Sequence, residues 1–506
     1  MTDLSAMARS QGTRRAAALI WLALAFVACL SVTILNGRPL FYYDTRGYID
    51  QGTTGLRQLH LIPGPAEQAP APMTQSQGEA GEVAAPVGTN NTVDGSRSAS
   101  YALIAALFAH LNALWTVPLF NALLAMMAVW LPMRVAQRIF QPDYPTAVLV
   151  ALPVIAACTG SLPFYVAFLM PDIFTPILVL MIATLTVFGR QMTAWECVLA
   201  LVLGTLAVVS HLSHLAIAAV LLPLSLLVSL GMARRRWWLP PLLVAVIIGM
   251  GYTEKVALRM AADKVSHSEV ILKPFLTARL IQDGPGLDYL NRHCPDAAIA
   301  TCPLHTALQL SDDPYRLTAS HIIFETSPTL GSFRLMSAGD QSIVARNQFK
   351  FFRDVLMEDP LGVTYAIARN SLIQARMFSV DMTLQTDKMI FQAKNTTGNS
   401  GQILDHGRLT RATGWLAPAT ALQTGAYMLA LLSVIVLGLL PHRVPGPVRL
   451  LVLMLLAGIL ANALICGAVS QPATRYGARV SWLLPLAAVI LAMFSKRNAV
   501  GGGPRP

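Results

Sequence analysis

The chain has 506 residues, 54% hydrophobic and only 12% charged. A soluble domain carries about 25% charged residues, and the deficit here falls in apolar runs near the ~20 residues that a bilayer-crossing helix needs. A soluble globular protein is excluded. The net charge of +11 lies in short Lys/Arg clusters between those runs. Such clusters anchor loops to anionic lipid rather than form one nucleic-acid face, so no nucleic-acid partner is expected.

The first apolar run, Ala16 to Leu35, follows Arg9, Arg14 and Arg15. It is longer than the apolar region of a signal peptide, and no small-x-small cleavage site precedes Asn36, so it reads as a retained signal-anchor. About ten spans are expected on length and hydropathy: 16–35, 113–133, 144–160, 172–189, 194–210, 214–231, 239–254, 417–440, 449–469 and 480–495. With the N-terminus inside, the inner connections carry Arg134 and Arg138, Arg190, Arg234 to Arg236, then Arg443 and Arg449, with Lys496 and Arg497 at the end. The short connections 161–171 and 211–213 carry no Lys or Arg. The positive-inside rule therefore puts both termini in the cytoplasm. A bacterial inner membrane, within the cell envelope, is the expected location.

This gives an all-α polytopic membrane protein in five parts. They are an N-terminus and first helix (1–35), a first extracytoplasmic loop (36–112), spans two to seven (113–254), an extracytoplasmic domain (255–416), and three last spans with a cytoplasmic end (417–506). Within the first loop, Pro63 to Ser96 is rich in Ala, Pro, Gln, Gly and Glu and reads as a mobile insert, with order resuming at Arg97. Ala102 to Leu111 is apolar but too short to span, and is placed at the interface.

The 255–416 domain opens with a charged helical run (Glu254, Lys255, Arg259, Asp263, Lys264). Turns follow at Asp283-Gly284-Pro285-Gly286, Asp312-Asp313-Pro314 and Asp359-Pro360. Helices are predicted over Gln348 to Met357 and Val363 to Met377. Among six cysteines, Cys29, Cys158, Cys197 and Cys466 fall in apolar spans as packing residues. Cys294 and Cys302 lie together in the external domain, where an oxidising compartment permits a disulfide.

Candidate chemistry gathers on the outer side. Asp44, in Phe41-Tyr42-Tyr43-Asp44-Thr45-Arg46-Gly47-Tyr48-Ile49-Asp50, is either a general base, an oxygen ligand for Mg²⁺ or Mn²⁺, or a surface acid paired with Arg46. Asp50 is a weaker candidate that can simply face water. Asp172 follows Met170-Pro171 at a span start, where it suits the helix dipole as well as a metal or acid–base pair with Asp44. His211 and His214, three residues apart, could hold phosphate, substrate or a metal, or be hydrogen-bonded in the interface. Arg475 and Arg479, four apart on one helical face beside Tyr476, stand on the outer side against the positive-inside trend. Their forked donors match phosphate oxygens, and Arg97 is a further cation there.

Tyr43-Asp44-Thr45-Arg46-Gly47-Tyr48, Arg97-Ser98-Ala99-Ser100-Tyr101, Met170-Pro171-Asp172 and Arg475-Tyr476 occur in that order on one side of the membrane. The arrangement resembles the GT-C class of integral-membrane glycosyltransferases, which use polyprenyl-phosphate sugars and include protein O-mannosyltransferase and aminoarabinose transferase relatives. The resemblance implies that Asp44 is the catalytic or metal-associated acid, that Asp172 is the second-loop acid, and that Arg475 is a basic residue near the carrier phosphate. The partners implied are membrane lipid, a polyprenyl-phosphate sugar donor and a glycan, lipid or protein acceptor. Two other functions fit the composition: a transporter or flippase for a lipid-linked or anionic substrate, and a non-catalytic membrane assembly protein. No internal repeat of the kind many transporters carry is evident.

Overall fold

A computed structural model describes residues 2–63, 92–232, 235–267, 269–296, 298–393, 404–439 and 443–495. The bulk of the low-complexity insert, Arg234, Lys496 and Arg497 lie outside the described residues.

Helix α1 (Thr2–Asn36) ends at Gly37, whose φ of +74° lets the chain turn sharply. The amphipathic α2 (Tyr43–Gln58) and the apolar α3 (Ala99–His110) follow. They cross so closely that a side chain at Gly52 would strike the Ala102 carbonyl. The Ser98 hydroxyl caps α3 by accepting from the Tyr101 amide. The first membrane bundle continues through α4 (Val117–Phe140), α5 (Thr146–Cys158), the short α6 (Leu162–Ala167), α7 (Phe174–Phe188), α8 (Ala194–Val209), α9 (Leu212–Met232) and α10 (Leu239–Ser266). Helix α7 is buried on every side, as a helix apolar all round must be.

Outside the bundle, α11 (Phe275–Asp283), α12 (Pro285–His293), α13 (Cys302–Leu308), α14 (Ala319–Phe324), α15 (Ala338–Arg346), α16 (Gln348–Glu358) and α17 (Pro360–Ala375) form a helical module. Leu280, Ile281, Leu290, Leu304, Ile322 and Val355 give it an apolar core separate from that of the bundle. Cys294 and Cys302 are disulfide-bonded there. The chain returns through α18 (Asp387–Ala393) and α19 (Arg408–Arg411), and then through α20 (Leu416–Gly438), α21 (Gly446–Val469), α22 (Thr474–Ser481) and α23 (Leu483–Met493).

Among the described residues, eight helices are long and apolar enough to cross a membrane, and the chain is an all-α polytopic integral membrane protein. The expected spans at 144–160 and 194–210 correspond to shorter apolar helices of 13 and 16 residues. The boundary placed at 254 falls inside α10, which runs on unbroken through its charged half to Ser266. Order in the first loop also resumes earlier than Arg97. Strand β1 (Thr92–Asp94) pairs in parallel with β2 (Glu269–Ile271), fastening the first loop to the root of the external module. Cys29 and Cys466 are buried, while Cys158 and Cys197 are only partly so.

Candidate functional site

Backbone pairing brings the two acids together. Leu40, just after α1, forms an isolated parallel bridge with Phe168: the Leu40 amide donates to the Ala167 carbonyl at 2.8 Å, and the Leu169 amide donates to the Leu40 carbonyl at 2.7 Å. The buried Thr45 hydroxyl adds a bond to the Leu169 carbonyl at 3.2 Å. The first turn of α2, with Asp44, is thereby set against the 3₁₀ turn Pro171–Ile173 that carries Asp172.

Asp172 is buried, with its side chain 1% exposed, and is matched at close range. Arg475 of α22 grips it in a fork, Nε to Oδ1 at 3.1 Å and Nη2 to Oδ2 at 2.7 Å, while Arg479 Nη1 stands 3.5 Å from Oδ1. Bidentate arginine pairs are the strong form of this contact. A desolvated carboxylate needs such partners, because an unpaired buried charge is costly. Arg475 reaches on to Asp44, 3.6 Å from Nη1 to Oδ2. Arg97 Nη2 donates to the other Asp44 oxygen at 3.1 Å. Gly47 makes this possible, since a Cβ there would collide with the Arg97 guanidinium. Asp44 itself remains open, with 39% of its side chain exposed.

Aromatic rings wall the cations. The Arg475 guanidinium lies 4.6 Å from the Tyr42 ring centre, 5.6 Å from Phe168 and 5.7 Å from Tyr476, and Arg479 lies 5.1 Å from Tyr476. Burial pushes the Tyr42 phenol up to about 12, against the opposing pull of Arg475. Burial works against the Arg97 charge, but Asp44 and Asp94 hold its pKa above the usual guanidinium value. Asp94 in turn binds Lys273 Nζ at 2.8 Å and Arg97 Nη1 at 3.3 Å. Those cations outweigh burial and lower its pKa.

The remaining sequence candidates divide. His211 joins the rim of the cluster: its Nδ1 is 2.8 Å from Ser213 Oγ, to which Arg479 Nη2 donates at 3.4 Å. Burial first, and Arg479 second, push its pKa down to about 3, so the ring is neutral at physiological pH. His214 fits the second of its two expected readings, a residue hydrogen-bonded within the protein. Its Nε2 bonds Thr175 Oγ1 at 2.6 Å and its Nδ1 the Ala207 carbonyl at 2.7 Å, which leaves neither ring nitrogen for a substrate or metal. Asp50 is half-exposed and pairs with Arg46 one turn earlier, 3.2 Å from Nε to Oδ2.

Three supporting residues escaped the sequence reading. Asn462, buried in α21, accepts from Arg479 Nε and Nη2 at 3.0 and 2.8 Å and donates to the Tyr476 carbonyl at 2.8 Å. A lone amide inside an apolar span is its sequence signal. Gln374, buried in α17, clamps the backbone of Ala473 two residues before Arg475: it accepts from the amide and donates to the carbonyl, both at 2.9 Å. Gly477 lets that turn approach Met377 where no Cβ would fit. Neither contact has a local sequence signature.

Two carboxylates (Asp44, Asp172) face three guanidinium groups (Arg97, Arg475, Arg479), −2 against +3, a formal balance of +1. Such a set suits an anion. Guanidinium nitrogens already face oxygens of both carboxylates, so Mg²⁺ or Mn²⁺ would have to compete with Arg97 and Arg475 for Asp44. Beside the cluster runs a narrow, open-mouthed apolar groove lined by Thr45, Ile49, Tyr101, Phe108, Leu169 and Phe174.

No protein-family model matches the chain, and no curated protein matches it. Among solved structures, it is similar to the crystal structure of ArnT from Cupriavidus metallidurans bound to undecaprenyl phosphate, with 13% identity and a TM-score of 0.33 over 93% of this chain and 77% of that one. A likeness of that strength assigns neither fold nor function.

Proposed function

We propose that the protein is an integral-membrane glycosyltransferase of GT-C type that moves a sugar from a polyprenyl-phosphate donor to a glycan, lipid or protein acceptor on the extracytoplasmic face of a bacterial inner membrane. The observation that carries this reading is the juxtaposition of a net-cationic, aromatic-walled cluster with an apolar groove. A charged head and a long hydrocarbon tail on one ligand match the two halves of that site. The four motifs that resemble the GT-C class supply Asp44, Arg97, Asp172 and Arg475.

In this reading the isoprenoid tail lies along the groove and the phosphate meets Arg97 and Arg475. The acceptor oxygen bonds to the anomeric carbon as that carbon's bond to the phosphate oxygen breaks. The acceptor proton passes to Asp44, whose exposed carboxylate is the reachable acid of the pair. The bonding electrons leave with the phosphate, and the guanidinium groups stabilise the added charge. Asp172 makes no contact with substrate; it fixes Arg475. The external module and the first loop, both joined at β1 and β2, supply the acceptor side.

The test is transfer from a radiolabelled polyprenyl-phosphate sugar in membranes. Asp44→Asn is expected to lower the rate by about 10²- to 10⁴-fold, the usual worth of a general base, with membrane abundance unchanged. Wild-type transfer by that variant rejects the role. Movement of intact donor across sealed proteoliposomes without chemical change identifies a flippase instead.

A further inference from the structure

Helix α17 exposes large apolar side chains and buries two amides, unlike a helix of a soluble domain. Its inward face holds Val363, Ala366, Asn370 and Gln374, two of them polar and all buried. Its outward face holds Leu361, Tyr365 and Leu372, exposed by 82%, 69% and 62%. At 100° per residue these three lie within about 40° of one another. Exposed Ala368 and Ala375 fall on the same stripe, and exposed Arg369 and Arg376 flank it on one edge. The inward polar groups are spent: Asn370 donates to Asp283 at 2.8 Å, and Gln374 holds Ala473.

An aqueous helix with this layout would place its hydrocarbon in water and its amides in the protein interior. Its neighbour resolves the conflict. Helix α17 packs against α21, a membrane-length apolar helix, so closely that a Cβ at Gly467 would strike the backbone of Asn370 and Ser371. Helix α21 has its own outward leucines, Leu453, Leu460 and Leu464, exposed by 58%, 64% and 37%. Those leucines face lipid in any membrane-spanning arrangement of α21, and the α17 stripe continues the same apolar surface.

We infer that the Leu361–Tyr365–Leu372 face of α17 beds in the bilayer leaflet on the Asp44 side. Leucine side chains sit at the boundary between acyl chains and headgroups, and Arg369 and Arg376 reach up to lipid phosphates. The helix is 16 residues long, about 24 Å at 1.5 Å per residue, enough to lie along the interface. The external module thus rests on lipid through α17, whose opposite face holds the turn before Arg475.

Site-directed spin labelling tests this in the full chain, with Cys29, Cys158, Cys197 and Cys466 replaced by alanine. Single nitroxides are placed through Leu361→Cys, Tyr365→Cys and Leu372→Cys in nanodiscs of phosphatidylethanolamine and phosphatidylglycerol. Tyr315→Cys, at a residue 67% exposed on the module, is the aqueous reference. Collision with oxygen several-fold above collision with a nickel chelate is expected at two or more of the three sites, with the reverse at position 315. Nickel-chelate excess at two or more sites overturns the proposal. So does exclusion of both reagents, as a docked protein or second copy would give.

Discussion

The two acids of the site live in different solvents. Asp172 is closed off, with a forked arginine on both oxygens and a second arginine beyond. Asp44, joined to it through Arg475, keeps 39% of its side chain exposed and touches each cation with one oxygen. The closed acid orients a cation; under the proposed reading, the open one is the group that meets the acceptor. Burial and the forked arginine distinguish the two, since the residue type is the same.

That contrast can be broken from either side. Asp172→Asn is expected to have the largest effect on the fold. It strands Arg475 and Arg479 in a dehydrated site, and losing one partner of a buried ion pair costs about 3–5 kcal/mol. Thermal unfolding in detergent and membrane abundance should both fall, whereas Asp44→Asn should move neither. If the two variants lost stability equally, the division of labour would fail. Gln374→Met should be milder, removing two backbone hydrogen bonds worth about 0.5–1.5 kcal/mol each. It leaves every charged group in place, so under the proposed reading KM for the lipid donor rises more than kcat falls as the Arg475 turn loosens. A fall in kcat alone would assign Gln374 to something other than donor positioning.

The effect that vanishes at physiological pH concerns His211. The His211 pKa lies near 3 in the folded protein and about 6.5 in an unfolded chain. Its neutral form is therefore favoured by folding. The associated stability is complete above pH 6.5 and declines as the pH drops towards 3. His211→Asn should flatten that part of the stability profile, while between pH 7 and 8 the two proteins should unfold alike. An unchanged slope below pH 6.5 would show that His211 is charged in the folded state.

Much of this was legible in the sequence for one physical reason: ionisable groups at the ends of apolar spans are expensive and therefore conspicuous. Asp44, Asp172, Arg475 and Arg479 stood out that way, and long apolar runs marked the helices. The supports did not stand out. Gln374 acts on a backbone 99 residues away, Gly47 matters only because Arg97 folds across it, and Leu40 pairs with Phe168 by backbone alone. His214 was left between two readings for the converse reason. A histidine's lone pairs are visible in sequence, but the Thr175 hydroxyl and Ala207 carbonyl that occupy its ring are not. Strand β1 was lost inside a stretch of biased composition, where two β-branched residues, Thr92 and Val93, were the whole signal.

The most direct measurement is a binding comparison on the purified protein in nanodiscs, with a short-chain isoprenyl monophosphate against its parent alcohol. Arginine-held phosphate should bind about 10- to 100-fold tighter than the alcohol, as charge-assisted hydrogen bonds worth about 1.5–3 kcal/mol imply, and Arg97→Gln should erase most of that margin. Equal affinity for alcohol and phosphate in the unaltered protein would contradict an anion site at the Asp44–Arg97–Arg475 cluster.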